Sequence, residues 1–158
     1  VAALTGDETA EELKFLGQDV FQYYGRGCRN VTHLCVPVGY DFSHFFQGIV
    51  SYSNVIQNKK YGNNYDYSKA IHLMNGEKLL DNNFMLLKNS EDLNPPIAML
   101  YYHEYSSKEA LEKYLEEKAP EIQCIVGRSY LPFGAAQKPK IDDYADNFDT
   151  MKWLISLA

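Results

Sequence analysis

The stretch from Ile97 to Val126 constrains this chain more than any other. Ile97 to Tyr102 is an apolar run of strand length, Ser106 with Glu109 reads as a capping box opening a helix to about Lys118, and Pro120 marks its end. Ile122 to Val126 then returns as a second apolar run. Two strands joined by a helix of that length form a crossover, which pairs them in parallel. The class that follows is α/β, a mainly parallel sheet flanked by helices.

Upstream, Thr9 with Glu12 makes another capping box, and Leu13, Leu16, Val20 and Tyr24 mark one apolar face of a helix that Gly25 ends. Val31 to Val38 alternates as a strand, with Val31, His33 and Cys35 on one side and Thr32, Leu34 and Val36 on the other, until Pro37 and Gly39 stop it. Asp41 caps a helix carrying Phe42, Phe45, Phe46 and Ile49. After the polar, tyrosine-rich stretch from Ser51 to Tyr65, the residues Asn63-Asn64-Tyr65-Asp66 read as a turn. A short helix from Tyr67 to Met74 places Ala70, Ile71 and Met74 inward, and Phe84 to Leu87 reads as a strand. Beyond Gly127 the chain is irregular through Pro132 to Ala136, and Asp149 to Leu157 reads equally as a strand or a short helix. No internal repeat or heptad run appears in the 158 residues, so one α/β domain accounts for them.

Charge narrows the partners. The formal net charge is -6, and the 15 lysines and arginines are scattered, with Lys59-Lys60 the nearest approach to a cluster, which argues against a nucleic-acid partner. The longest apolar runs fall far short of a membrane span. Three cysteines (Cys28, Cys35 and Cys124), with no close pairing among themselves or with histidine, suit neither a disulfide framework nor a zinc site. A reducing cytoplasm is the expected location. Asn30-Val31-Thr32 is formally a glycosylation sequon, of the kind that short sequences produce by chance. Because the chain opens at Val1, without methionine and inside an apolar stretch, it is expected to be part of a larger protein.

Cys28 is the residue with the clearest chemical promise. It lies in Gly25-Arg26-Gly27-Cys28-Arg29-Asn30, between a predicted helix and a predicted strand, where glycines permit a sharp turn and close approach of a substrate. Arg26, Arg29 and nearby main-chain N-H groups favour a thiolate, the form that attacks carbonyl carbon. Taken from the residues alone, Cys28 is either such a nucleophile or a small buried hydrophobe. Cys35 and Cys124 sit among apolar strand residues and read as core thiols. His33, His44, His72 and His103 each fall in a regular element where a surface or core role suffices. The glutamates from Glu104 to Glu117 read as a solvated helix face with its flank.

The order of these features resembles the catalytic domain of the aldehyde dehydrogenase superfamily. Gly25-Arg26-Gly27-Cys28-Arg29-Asn30-Val31 followed by Val36-Pro37-Val38-Gly39-Tyr40-Asp41-Phe42 is similar to the LuxC-type acyl-CoA reductases. Further similar segments include Leu79-Leu80-Asp81-Asn82, Ile122 to Val126, Phe133-Gly134-Ala135-Ala136-Gln137 and Asp143 to Asp146, so the resemblance covers essentially the whole chain. It implies an aldehyde dehydrogenase-like catalytic domain over residues 1–158, with a dinucleotide-binding part lying upstream. The implied activity is NADPH-dependent reduction of an acyl-CoA or acyl-protein thioester to a fatty aldehyde, through a thioester on Cys28. The main-chain N-H of Cys28 would be one oxyanion donor, while the second donor, the base and most of the NADPH site would belong to the upstream part. Tyr24, Gly27, Arg29, Asn30 and Phe133 are the implied substrate-contacting residues, Tyr24 beside the acyl chain and Phe133 lining the cleft. A homo-oligomer is a further expectation.

Two departures from the aldehyde-oxidising relatives are visible. Arg26 stands where they carry glutamine, and Asn94-Pro95-Pro96-Ile97 stands where they carry Glu-x-Phe-Gly-Pro. Without an upstream part, residues 1–158 are not expected to turn over acyl-CoA with NADPH. Alternatives of another class are a cysteine-dependent thioesterase or acyltransferase, which needs a histidine near Cys28, and a noncatalytic partner subunit.

Overall fold

The computed structural model describes residues 1–157. Five strands form one mixed sheet: β1 (Ala2–Ala3), β2 (His33–Pro37), β3 (Leu80–Asp81), β4 (Leu86–Asn89) and β5 (Met99–Tyr105). Their order across the sheet is β1-β2-β5-β4-β3, parallel at every step except the last, where β3 runs antiparallel to β4. In the β2–β5 pair His33 stands opposite Tyr101 and Cys35 opposite His103.

Helices cover both faces. On one, α1 (Ala10–Phe21), α2 (Phe42–Gly48) and α3 (Lys59–Met74) contribute Leu13, Leu16, Phe45, Tyr61 and Tyr65 to a core shared with Leu34, Val36, Leu86 and Leu100. On the other, α4 (Lys108–Lys118) packs Leu111 and Leu115 against Ala3, Cys35, Leu93 and Ile122. The alternation expected of β2 holds for Leu34 and Val36 on one face and Cys35 on the other, because successive strand side chains point to opposite sides. Val31 precedes the strand and joins the larger core, out of phase with Cys35.

Several capping expectations hold. The Thr9–Glu12 box forms as a reciprocal pair of bonds, and Asp41 accepts from Ser43 N at the start of α2. For α4 the cap is Ser107 rather than Ser106.

Other expectations need correction. The turn at Asn63 to Asp66 does not exist: α3 runs unbroken from Asn58, whose Oδ1 accepts from both Lys60 N and Tyr61 N at 3.1 Å. With the helix starting there, Tyr61, Tyr65 and Ser68 face inward, leaving Ala70, Ile71 and Met74 exposed. The helix from Thr9 ends at Phe21 and not at Gly25, so Tyr24 is not on its apolar face. The strand expected at Phe84 to Leu87 begins only at Leu86, because Asn82 Oδ1 turns the chain by accepting from Phe84 N and Met85 N. Ile122 to Val126 does not form a strand; only Val126 bridges, in parallel to Ala2 and Leu131. The crossover after β5 therefore closes on a single residue beside β1. The final segment contains a short helix, α5 (Thr150–Ile155), with Asp149 as its cap. Among the described residues, no helix is long and apolar enough to cross a membrane.

Candidate active site

Where α1 stops, the backbone turns left-handed. Tyr23, Tyr24 and Gly25 take φ values of 55°, 59° and 72° in succession. For tyrosine this conformation costs roughly 1–2 kcal/mol per residue, so it persists only where surrounding bonds enforce it. Asn30 supplies them. Its side-chain Nδ2 donates to the carbonyls of Asp19 (2.7 Å), Val20 (3.1 Å) and Gln22 (2.9 Å), and its Oδ1 accepts from Gly27 N at 2.6 Å. One buried amide thus caps the end of α1 and closes the turn that carries Cys28.

Gly27 fits because nothing larger would. A Cβ there would lie 2.6 Å from Asn30 Oδ1 and 2.9 Å from Gln137 Nε2, an amide nitrogen that is buried without a partner. The segment beyond Leu131 is fastened to the same place. The carboxylate of Asp19, wholly buried in α1, accepts from Gly134 N (2.6 Å) and Ala136 N (3.0 Å), and Arg29 Nε donates to Ala136 O at 2.6 Å. Burial pushes the Asp19 carboxyl above its ordinary pKa, against the pull of the two N-H donors.

On this clamped turn Cys28 is exposed. The thiol opens onto a cavity of about 180 Å³ whose other walls include Asn94, Glu121, Gln123 and Cys124. Among the described residues the N-H groups of Cys28 and Arg29 donate to nothing, while those of Gly27 and Asn30 are consumed within the turn. Two neighbouring main-chain donors beside an exposed thiol are the elements from which an oxyanion site can be built.

The expected contact residues divide. Gly27, Arg29 and Asn30 line the Cys28 cavity, but Asn30 is committed to holding the turn and Arg29 to Ala136 O, with Asp143 3.6 Å from its Nη2. Tyr24 lies instead on the far side of the turn, lining a separate cleft with Arg26. Phe133 packs against the larger core and does not line the Cys28 cavity. Asp19 was not singled out from sequence, although an acid three residues from Leu16 on the apolar face of an amphipathic helix is a visible signal of a buried carboxylate.

The other thiols differ sharply. Cys35 is sealed in β2 and burial pushes its pKa up to about 12; Cys124 is raised by the same cause, and its Sγ lies 3.7 Å from Arg29 O. The histidines are engaged elsewhere. His33 bonds Asp92 O through Nδ1 at 3.0 Å, His44 bonds Glu8 O through Nε2 at 2.7 Å, His72 meets Glu77, and His103 stacks on Tyr114. None lines the Cys28 cavity. No cluster of three or more potential metal ligands occurs among the described residues. Neither a family model nor a curated protein matches the chain.

Proposed function

We propose that this chain is the nucleophile-bearing part of an NADPH-dependent acyl thioester reductase, with Cys28 as the residue that carries the acyl group. The observation that supports the reading most is the setting of Cys28: an exposed thiol on a turn fixed by Asn30, facing a cavity with free main-chain donors and no histidine. In this reading the Cys28 thiolate attacks the thioester carbonyl carbon, and the N-H groups of Cys28 and Arg29 receive the developing oxyanion. The tetrahedral adduct collapses by breaking the bond to the carrier sulfur. The carrier leaves as a thiol, taking up the proton that Cys28 gave up. No histidine lines the cavity, and in this reading the acyl group stays on Cys28 until the hydride reaches it.

Reduction of that acyl-enzyme to aldehyde needs a hydride donor, and the described residues do not fit NADPH. The doubly wound dinucleotide site holds its pyrophosphate on closely spaced glycines in the turn from strand to helix. The turns leaving β1, β2 and β5 read Thr5-Gly6-Asp7-Glu8-Thr9, Val38-Gly39-Tyr40-Asp41 and Ser106-Ser107, which offer a single glycine or none and, in two cases, carboxylates. NADPH in this reading is held by residues outside 1–157.

Acyl transfer is testable without it. Mixing the protein with a long-chain acyl-CoA should release free thiol once per chain and leave an acyl group on Cys28. Continuous release of thiol, with the protein returning to its unacylated mass, would instead mark a hydrolase.

A further inference from the structure

Two further cavities continue from the one that holds Cys28, and together the three form a row. The Cys28 cavity shares Thr32 with a narrow space of about 50 Å³ lined by Phe21, Val31, Pro96 and Met99. That space shares Tyr24, Tyr61 and Ile97 with a wider cleft of about 470 Å³. One strip of chain floors all three, from Leu93 and Asn94 under the thiol, through Pro95 and Pro96, to Ile97 at the cleft. The Cys28 turn forms the opposite wall throughout, presenting Arg26 to the cleft and Cys28 to the cavity.

The chemistry changes along this row. Its middle is mainly apolar and slender, whereas the wide cleft is polar and cationic, lined by Arg26, Lys60, Asn58, Asn63 and Asn64 with the ring of Tyr24. No carboxylate lines it. Arg29, Lys69, Lys88, Lys108 and Arg128 are each matched with an acid, whereas the two cations of this cleft are not. Arg26 and Lys60 make no ion pair among the described residues, and they meet only because the left-handed turn after α1 faces the first turn of α3. Two unmatched cations, side-chain amides and an aromatic face suit a phosphate ester, most fully one attached to a purine nucleoside.

We infer that this cleft holds the phosphate-bearing end of the thioester's carrier, with Arg26 and Lys60 as its anion contacts, the carrier's slender arm in the narrow middle and its sulfur at Cys28. The inference rests on the acyl-enzyme reading above. The phosphate ester has two sources, the adenosine bisphosphate of coenzyme A or the phosphopantetheine of a carrier protein, and they are separable by probe.

Titration calorimetry of the protein at low ionic strength with adenosine 3',5'-bisphosphate, 4'-phosphopantetheine, adenosine 2',5'-bisphosphate and adenosine provides the test. The expected result is saturable binding of one or both phosphate esters and much weaker binding of adenosine. Arg26→Gln and Lys60→Gln should each weaken the ester about tenfold, and salt should weaken it further. The preferred ester identifies the source. Binding that the double variant retains in full, no binding of either ester, or binding confined to adenosine 2',5'-bisphosphate overturns the inference. Both side chains are exposed, so an unchanged thermal transition checks that the variants fold.

A second arm separates this inference from the reading on which it rests. Acylation of Cys28 by an N-acetylcysteamine thioester, which lacks phosphate, should be the same in wild type and double variant, whereas acylation by acyl-CoA should slow. Equal slowing with both donors overturns the cleft. No acylation by either donor sinks the acyl-enzyme reading, and the calorimetry still decides whether the cleft takes phosphate esters.

Discussion

Cys28 and Cys35 lie on one continuous run of chain, the first on the turn after α1 and the second within β2, and their surroundings are opposite. Around Cys28 the backbone is strained, the thiol is exposed and main-chain donors are free. Around Cys35 the backbone is regular, the thiol is sealed under α4, and burial holds it protonated with a pKa of about 12. Both thiols belong to the same α/β unit, so their difference in exposure is set by the local backbone and not by the residue type. The strain at Tyr23 and Tyr24 keeps Cys28 out of the helix and out of the core, where it would resemble Cys35.

The comparison is most exposed to alkylation. With iodoacetamide near pH 8, Cys28 should react as an accessible thiol, and Cys35 roughly a thousandfold more slowly, since burial that pushes its pKa up to about 12 removes nearly all of its thiolate at that pH. Peptide mass spectrometry over a time course reads both sites at once; similar rates would erase the distinction.

Loss of the clamp is the next largest effect. Asn30→Ala removes the side-chain partner of the Gly27 N-H and of the Val20 and Gln22 carbonyls, while Asp19 O keeps Val31 N at 3.1 Å, and should cost about 3 kcal/mol in urea unfolding. A cost below 1 kcal/mol would mean that the turn holds itself.

On the sealed side, His33 makes a pH prediction. Burial lowers its pKa from 6.5 to about 4, so the unfolded chain binds the proton first as the pH falls. Stability from His33 is therefore full above pH 6.5 and is lost progressively down to pH 4, by about 3 kcal/mol for this buried ring. Asp19, whose folded pKa is raised, takes up a proton earlier in the folded state and acts with the opposite sign. The measurement is accordingly the difference in pH dependence between wild type and His33→Gln, which should be the flatter of the two; parallel curves would contradict the assignment.

The smallest effect has an unusual sign. Tyr23→Gly should stabilise the protein by about 1 kcal/mol, because glycine adopts φ 55° without strain and the tyrosine is largely exposed. Destabilisation would show that the ring's packing outweighs the backbone strain.

Much of the scaffold was legible because its signals are local. Thr9 and Glu12 cap each other across three residues, and the Ile97 to Lys118 pattern carries its strand and helix periods within itself. Where the reading failed, distant partners decided the outcome. The Asn63-Asn64 pair looks like a turn, yet α3 continues through it, with Asn64 Nδ2 bonded to Lys60 O at 2.7 Å and Tyr65 anchored to Asp81 across to β3. The return is curtailed to Val126 because its partner β1 is itself only Ala2–Ala3, and Val126 uses its N-H on Val1 O and its carbonyl on Ala3 N. At the site, the glycines and Cys28 were readable, but the clamp was not. Asn30 reaches back to the end of α1, and Asp19 and Arg29 reach forward past residue 133, contacts that no local pattern encodes.

Whether Cys28 carries the acyl group can be read by intact-protein mass spectrometry after brief exposure to a long-chain acyl-CoA. One acyl adduct should appear, map to Cys28, be removed by neutral hydroxylamine and be missing from Cys28→Ala. An adduct that persists in Cys28→Ala, or no adduct on the wild-type protein at saturating acyl-CoA, would contradict it.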